Sequence, residues 1–173
     1  CGKQTQADWP VEMPTGSFGP RLQATVGYFT GRLGASQRDV EEVMGTVFHT
    51  EVSLGSVPAL EQKVSTALAK PVEQAHEYVK QQPLVNADET GWREGPQRRW
   101  LWIAATSLVT VFLLMATRGA EGAKRLLGEA FQGILNSDRW AAYNWLDTLR
   151  RQLCWAHLKR DFQAFIDRGG ESA

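Results

Sequence analysis

Trp100–Thr117 reads WLWIAATSLVTVFLLMAT, an uncharged run of 18 residues, which is the lower limit for a membrane-spanning helix. Its composition argues against a span. Trp, Ile, Thr, Val and Phe favour strands, and Thr106-Ser107 interrupts the run. The stretch therefore predicts two paired strands, Trp100–Ala105 and Leu108–Met115, joined by a tight turn inside a soluble domain, with no membrane partner.

Upstream of this pair, Pro83–Asp88 reads as a short strand ending in Asp. Downstream, Ala123, Leu126, Leu127, Ala130 and Phe131 recur at helical spacing and predict a helix over Gly119–Phe131. Gly133–Ser137 is a fourth strand, followed by Asp138. Arg139–Leu149 reads as helix, Arg151–Cys154 as a last strand, and Leu158, Phe162, Phe165 and Ile166 mark a final helix. The order βββαβαβα describes an α/β fold with a mixed sheet and helices on its faces.

Upstream of Gln81-Gln82-Pro83 the character changes. Lys and Arg number 7 against 9 Asp and Glu before residue 83, and 12 against 10 after it; six of the seven Trp residues lie after it. The first part is expected to be helical. Leu22, Val26, Phe29 and Leu33 form one stripe, ended by Gly34. Ser36 and Asp39 resemble a capping box before Val40, Val43 and Met44. Ser53 or Ser56 caps a third helix bearing Val57, Leu60, Val64 and Leu68, which Pro71 kinks or restarts on the way to Lys80. Two short helices and a tight connection between Arg38 and Val64 suggest a helix-turn-helix. With Lys63 nearly its only cation, that element reads either as a DNA reader or as a packing and linker segment.

The 173 residues carry no net formal charge, with 43% apolar and 22% charged side chains. Those proportions exclude a disordered or collagen-like chain. Two cysteines, Cys1 and Cys154, build no disulfide framework, so a reducing cytoplasm is expected. The chain has no initiator methionine and reads as part of a longer protein.

Two carboxylates occupy matching places: Asp88 in NADETGW (Asn86–Trp92) and Asp138 in LNSDRW (Leu135–Trp140). If their strands are neighbours, the two converge and need a cation, and hard oxygen ligands suit Mg²⁺ or Mn²⁺. Two such ions about 3.5–4 Å apart support phosphodiester chemistry. The plainer reading makes each Asp a turn or cap residue. Glu89 is either a supporting acid or an exposed helix-start or turn residue. Trp140 and Tyr143 either stack on bases or pack in the core. Arg93, Arg98, Arg99, Arg139, Arg150, Arg151, Lys159 and Arg160 are scattered cations available to phosphates. Cys154 and His157 form half of a zinc motif, or a buried cysteine and a helix-start histidine. His157 and Asp161, four apart, are expected to pair.

NADETGW, WLWIAAT, RGAEGAKRLLGEAFQGILNSDRWAAYNWL and RQLCWAHLKRDF, in that order over Pro83–Phe162, resemble the insertion-sequence-66 family of bacterial transposases, and Pro14–Lys80 is similar more loosely. The resemblance implies an RNase H-like core at residues 83–173, incomplete, behind a helical region at 19–82. It also implies a DDE triad with Asp88 and Asp138 as its first two acids. It implies metal-dependent cleavage and strand transfer on DNA ends and targets, by a homo-oligomer in the bacterial cytoplasm. Arg93, Arg98, Arg99, Arg139, Trp140, Lys159 and Arg160 become candidate DNA contacts. The family's third acid is a glutamate on a later helix; Glu171 lacks that setting, so the third acid is expected past Ala173 and the fragment inactive alone. Residues 1–18 resemble the remnant of a cysteine-rich zinc element and its linker, with Cys1 the cysteine that remains and no zinc bound. The alternatives are a non-catalytic DNA-binding or assembly module and a nuclease of the same fold.

Overall fold

The computed structural model describes residues 2, 5, 8, 10 and 16–169. Cys1 and Glu171 lie outside the described residues, and with them the zinc remnant and the last acid. The chain divides into two compact units, residues 1–69 and 70–173.

The first unit is helical. Helix α1 (Pro20–Gly27) starts with Pro at its first turn, where a missing N–H costs nothing, and continues into a π-helical segment, Tyr28–Arg32. Gly34 then takes φ +68°, a left-handed conformation that stops the run. Helix α2 (Gln37–Thr46) begins with the expected capping box: Asp39 N donates to Ser36 Oγ (3.2 Å) and Ser36 N to Asp39 Oδ2 (2.9 Å). Helix α3 (Ser56–Lys80) runs through Pro71 without a break. Val26, Val40, Met44, Val52, Val57 and Leu60 form the core of this unit. The helix-turn-helix expectation is not met. The connection covers residues 47–55 and α3 is 25 residues long, so neither the tight turn nor the short second helix is present.

The second unit is α/β, with a five-stranded mixed sheet in the order β3-β2-β1-β4-β5. Strands β1 (Leu84–Glu94), β2 (Gln97–Ala105) and β3 (Thr110–Met115) form an antiparallel meander; β4 (Ile134–Ser137) and β5 (Arg151–Leu153) add in parallel on the other side of β1. The uncharged run is thus two antiparallel strands, as its composition predicts. Thr106 makes the turn: its Oγ1 accepts from Leu108 N (3.2 Å) and Val109 N (3.0 Å).

One face of the sheet is covered. Val85 and Ala87 of β1, Trp102 and Ala104 of β2, Val111 and Met115 of β3 and Leu135 of β4 pack with Ala123, Leu126 and Leu127 of helix α4 (Ala120–Leu127) and with Val79 of α3. Nε2 of His76 donates to Leu126 O (2.7 Å), tying α3 to α4. The opposite face leaves Leu84, Phe112, Leu114 and Ile134 exposed. Helix α5 (Trp155–Arg168) closes the described chain.

Four element expectations are corrected. Strand β1 does not end at Asp88; its ladder with β2 continues to Glu94↔Gln97, at a turn where Gly95 takes φ +58°. Helix α4 stops at Leu127 because Gly128 takes φ +83°, so Ala130 and Phe131 lie beyond it. Arg139–Leu149 is not an α-helix but holds two 3₁₀ turns, Ala141–Tyr143 and Thr148–Arg150. Asp138 and Asp147 accept from Trp140 N (2.8 Å) and Leu149 N (2.9 Å), local bonds that compete with helix. Finally, β2 starts at Gln97 rather than Trp100.

Candidate active site

Strands β1 and β4 are neighbours, and their parallel register runs from Leu84↔Ile134 to Asn86↔Asn136. Two residues beyond that last pair, counted along each segment, stand Asp88 within β1 and Asp138 just past the end of β4. Neighbouring strands lie about 4.8 Å apart, and residues at one register position share a face. Asp88 thus belongs to the open face with Asn86 and Asn136, and Asp138 follows the last residue of β4 on that side. The parallel pairing ends before both residues, so the carboxylates stand where β1 and β4 part.

Each carboxylate is held by the backbone. Glu89 N donates to Asp88 Oδ1 (3.0 Å), and Trp140 N donates to Asp138 Oδ1 (2.8 Å). Asp88 is exposed and Asp138 half-buried. Asn136 donates from Nδ2 to Asn86 Oδ1 (2.8 Å), while its own Oδ1 is buried without a partner. Two carboxylates and an orphaned amide oxygen form a hard-oxygen donor set, the chemistry that Mg²⁺ or Mn²⁺ requires. Among the described residues, no group of three His, Cys, Asp or Glu side chains is placed to hold a metal.

Glu89 is not the exposed turn residue that a strand ending at Asp88 would make it. It lies on the covered face, buried between β1 and Tyr143, opposite Trp102 of β2. Arg118 donates from Nε to Glu89 Oε1 (3.0 Å), and Tyr143 OH donates to Oε2 (2.8 Å). Burial raises the Glu89 carboxyl above its ordinary value; the bonds from Tyr143 and Arg118 pull it back, and the charge of Asp138 adds to the rise. Burial likewise pushes the Tyr143 phenol up, helped by Glu89, Asp138 and Asp88. Tyr143 is a fully buried core residue, its ring edge-on to Trp102 at 6.0 Å. Trp140 is 38% exposed and donates from Nε1 to Arg118 O (2.9 Å).

The candidate cations fall into three places. Arg93, Arg98 and Arg99 lie on the part of the β1–β2 ribbon that extends beyond the other strands, with Arg93 directly opposite Arg98. Arg99 is occupied by Glu94 (2.9 Å), while Arg98 lies over the Trp100 ring (5.1 Å). Arg139 follows Asp138 and pairs with Asp161 of α5, which displaces the expected His157–Asp161 pair. Lys159 and Arg160 are exposed on α5. Arg150 and Arg151 bond Gln132 and Asn144. Cys154 is half-buried rather than buried, and the hydrogen bond from His157 holds its thiol below the ordinary range.

Arg118, Trp100 and Asn136 were not singled out by the sequence. A signal for Glu89 did exist: continuing the alternation Val85, Ala87 by one step places it on the apolar face, provided β1 is read past Asp88.

A family model described as Transposase IS66 family matches residues 15–173. No curated protein matches the chain. Among the described residues, no helix is long and apolar enough to cross a membrane.

Proposed function

The chain belongs to the IS66 family of transposases, and from that membership we propose that its second unit is the first part of an RNase H-like DDE core, with Asp88 and Asp138 as two of the three metal-binding acids. The observation that supports this reading is the parallel β1–β4 pairing from Leu84↔Ile134 to Asn86↔Asn136, with each aspartate two residues beyond its last pair. The partnerless Asn136 Oδ1, two residues before Asp138, supports it, since a buried acceptor there can take a hydrogen bond from a water. Glu89 lies on the other face and is not the third acid in this reading.

When bound, two Mg²⁺ or Mn²⁺ ions would activate a water or a DNA 3′-hydroxyl and stabilise the leaving oxygen. The residues of this chain do the rest. The Asp88 and Asp138 carboxylates are held by Glu89 N and Trp140 N, so each presents its remaining lone pairs in a fixed direction.

DNA would lie along the open face and the projecting ribbon. Arg93 and Arg98 face each other there, an arrangement that costs stability between like charges and that a phosphate relieves. Arg99, Arg139, Trp140, Lys159 and Arg160 are the further contacts in this reading. The complete protein would act as a homo-oligomer on paired element ends, in the compartment that holds the cell's DNA.

Asp88→Asn and Asp138→Asn in the full-length protein test this reading. Cleavage of end-containing DNA with Mg²⁺ or Mn²⁺ should fall by at least about 100-fold in each. Melting without metal should stay level or rise, because repulsion between the acids is relieved. Near-normal cleavage in either variant would remove that aspartate from the site and leave a DNA-binding or assembly module as the reading.

A further inference from the structure

Glu89 lies next to Asp88 in sequence and on the opposite face of the sheet, with its side chain fully buried. A buried carboxylate is costly unless it is paired and hydrogen-bonded. Here Oε1 takes both Nε (3.0 Å) and the terminal guanidinium nitrogen (2.9 Å) of Arg118, and Oε2 takes Tyr143 OH (2.8 Å). An apolar residue would suit a face made of Val85, Ala87, Trp102 and Leu135. A buried ion pair is weak evidence for stability, and its best-attested use is to select one arrangement of the elements it joins.

The bonds of Arg118 show which elements these are. Its guanidinium lies 4.9 Å from the Trp100 ring centre and 4.1 Å from that of Trp140, and its carbonyl accepts from Trp140 Nε1 (2.9 Å). Trp140 N donates in turn to Asp138 Oδ1. At the other end, Glu89 N donates to Asp88 Oδ1. The two aspartates are therefore the ends of one circuit, Asp88–Glu89–Arg118–Trp140–Asp138. Tyr143 gives a second strut from Glu89 to the turn that follows Asp138.

We propose that Glu89 is a positioning residue for the two-aspartate site: its buried carboxylate, gripped by Arg118 and Tyr143, fixes the segment carrying Asp138 against the strand carrying Asp88. The inference rests on Asp88 and Asp138 being metal ligands. Glu89 itself touches no metal, because it faces away from them. The parallel pairing of β1 with β4 ends at Asn86↔Asn136, so nothing in the ladder holds Asp138 to Asp88. The circuit supplies that hold. Partners that orient metal ligands typically change affinity or activity by about 10- to 100-fold when removed.

The test compares Glu89→Gln, Glu89→Leu, Tyr143→Phe and Asp88→Asn in the full-length protein. Free Mn²⁺ is followed by its electron paramagnetic resonance, cleavage of end DNA is measured over a Mn²⁺ series, and melting is the control for folding. Gln keeps the shape of Glu, accepts from Arg118 and donates to Tyr143, so it should rescue: the Mn²⁺ dependence stays within a few-fold of wild type. Tyr143→Phe and Glu89→Leu should raise the half-saturating Mn²⁺ by about 10- to 100-fold while leaving KM for DNA unchanged. A wild-type Mn²⁺ dependence in Tyr143→Phe would overturn the proposal. So would a Glu89→Gln as inactive as Asp88→Asn, which would make Glu89 a ligand. If Glu89→Leu fails to fold, the other two variants decide. Undiminished Mn²⁺ binding in Asp88→Asn would overturn the two-aspartate reading itself; binding lost there but unchanged in Tyr143→Phe overturns only the inference about Glu89.

Discussion

The carboxylate of Asp39 accepts from Ser36 N while Ser36 Oγ accepts from Asp39 N, and this reciprocal pair is what starts α2. Because the hydrogen bonds from Ser36 favour the ionised form, the Asp39 carboxyl is held below its ordinary value of 3.8. A depressed acid contributes stability above its unfolded pKa and loses it as pH falls through the folded one. Asp39→Asn keeps an acceptor for Ser36 N without the charge. The difference in urea midpoint between wild type and Asp39→Asn, followed by circular dichroism, should therefore be present near neutral pH and shrink as the pH falls below about 3.8. A gap that persists unchanged in acid would mean the carboxylate charge does not matter to the cap. At Glu89 the balance of effects is reversed. There burial dominates and raises the carboxyl, so that residue is retained at the expense of solvation, as expected of a group kept for placement.

At the level of elements, α4 lies against β2 at a distance only glycine permits. A Cβ at Gly122 would stand 2.4 Å from Cε2 of Trp102. That indole is not free to retreat: Nε1 donates to Thr117 O (3.0 Å), and Tyr143 abuts its ring edge-on. Gly122→Ala gains helix propensity, yet it must push α4 off the sheet. The overlap should win, lowering stability by about 1–3 kcal/mol, as overpacking does. Urea unfolding followed by tryptophan emission measures it. A variant as stable as wild type would show that α4 shifts outward at no cost. The β1–β2 ribbon is the contrasting case. Its outer half pairs only with itself and exposes Trp92, Arg93 and Arg98, so it is held by its ladder, the Arg99–Glu94 pair and the Arg98–Trp100 stack, with no buried core beneath it.

Among the described residues there are two separate hydrophobic clusters, one of six buried residues in the first unit and one of fifteen in the second. Stability scales with buried apolar area, so the smaller cluster should give way first. Six of the seven Trp residues follow residue 83 and report only on the second unit, whereas α1, α2 and most of α3 belong to the first. Denaturant curves from far-ultraviolet circular dichroism and from tryptophan emission should therefore not coincide, with helical signal lost at lower denaturant. Coincident curves would mean the two clusters unfold as one.

Features that depend on neighbours a few residues apart are legible in the chain before it folds. The strand pair in Trp100–Thr117 was legible because β-branched and aromatic residues flank a Thr-Ser turn, and the start of α2 because Ser36 and Asp39 stand at capping-box spacing. The apolar stripe of α4 and the sequence of strands β1 to β5 were legible for the same reason. The family resemblance was legible too, in linked motifs that a family model spans. Only the tertiary structure decided the rest. Asp88 and Asp138 come to the same end of neighbouring strands because β1 and β4 pair in parallel across 50 residues of chain, and no local period encodes which strands become neighbours. The length of β1 was hidden because its outer half is stabilised by β2, not by alternating burial, and that hid Glu89 as well. Arg139–Leu149 misled because its helical spacing competes with Asp138 and Asp147, whose side chains bond the nearby backbone once the chain must cross from β4 to β5. Side-chain spacing is a one-dimensional record, whereas a site assembled from separate strands depends on which of them hydrogen-bond to each other.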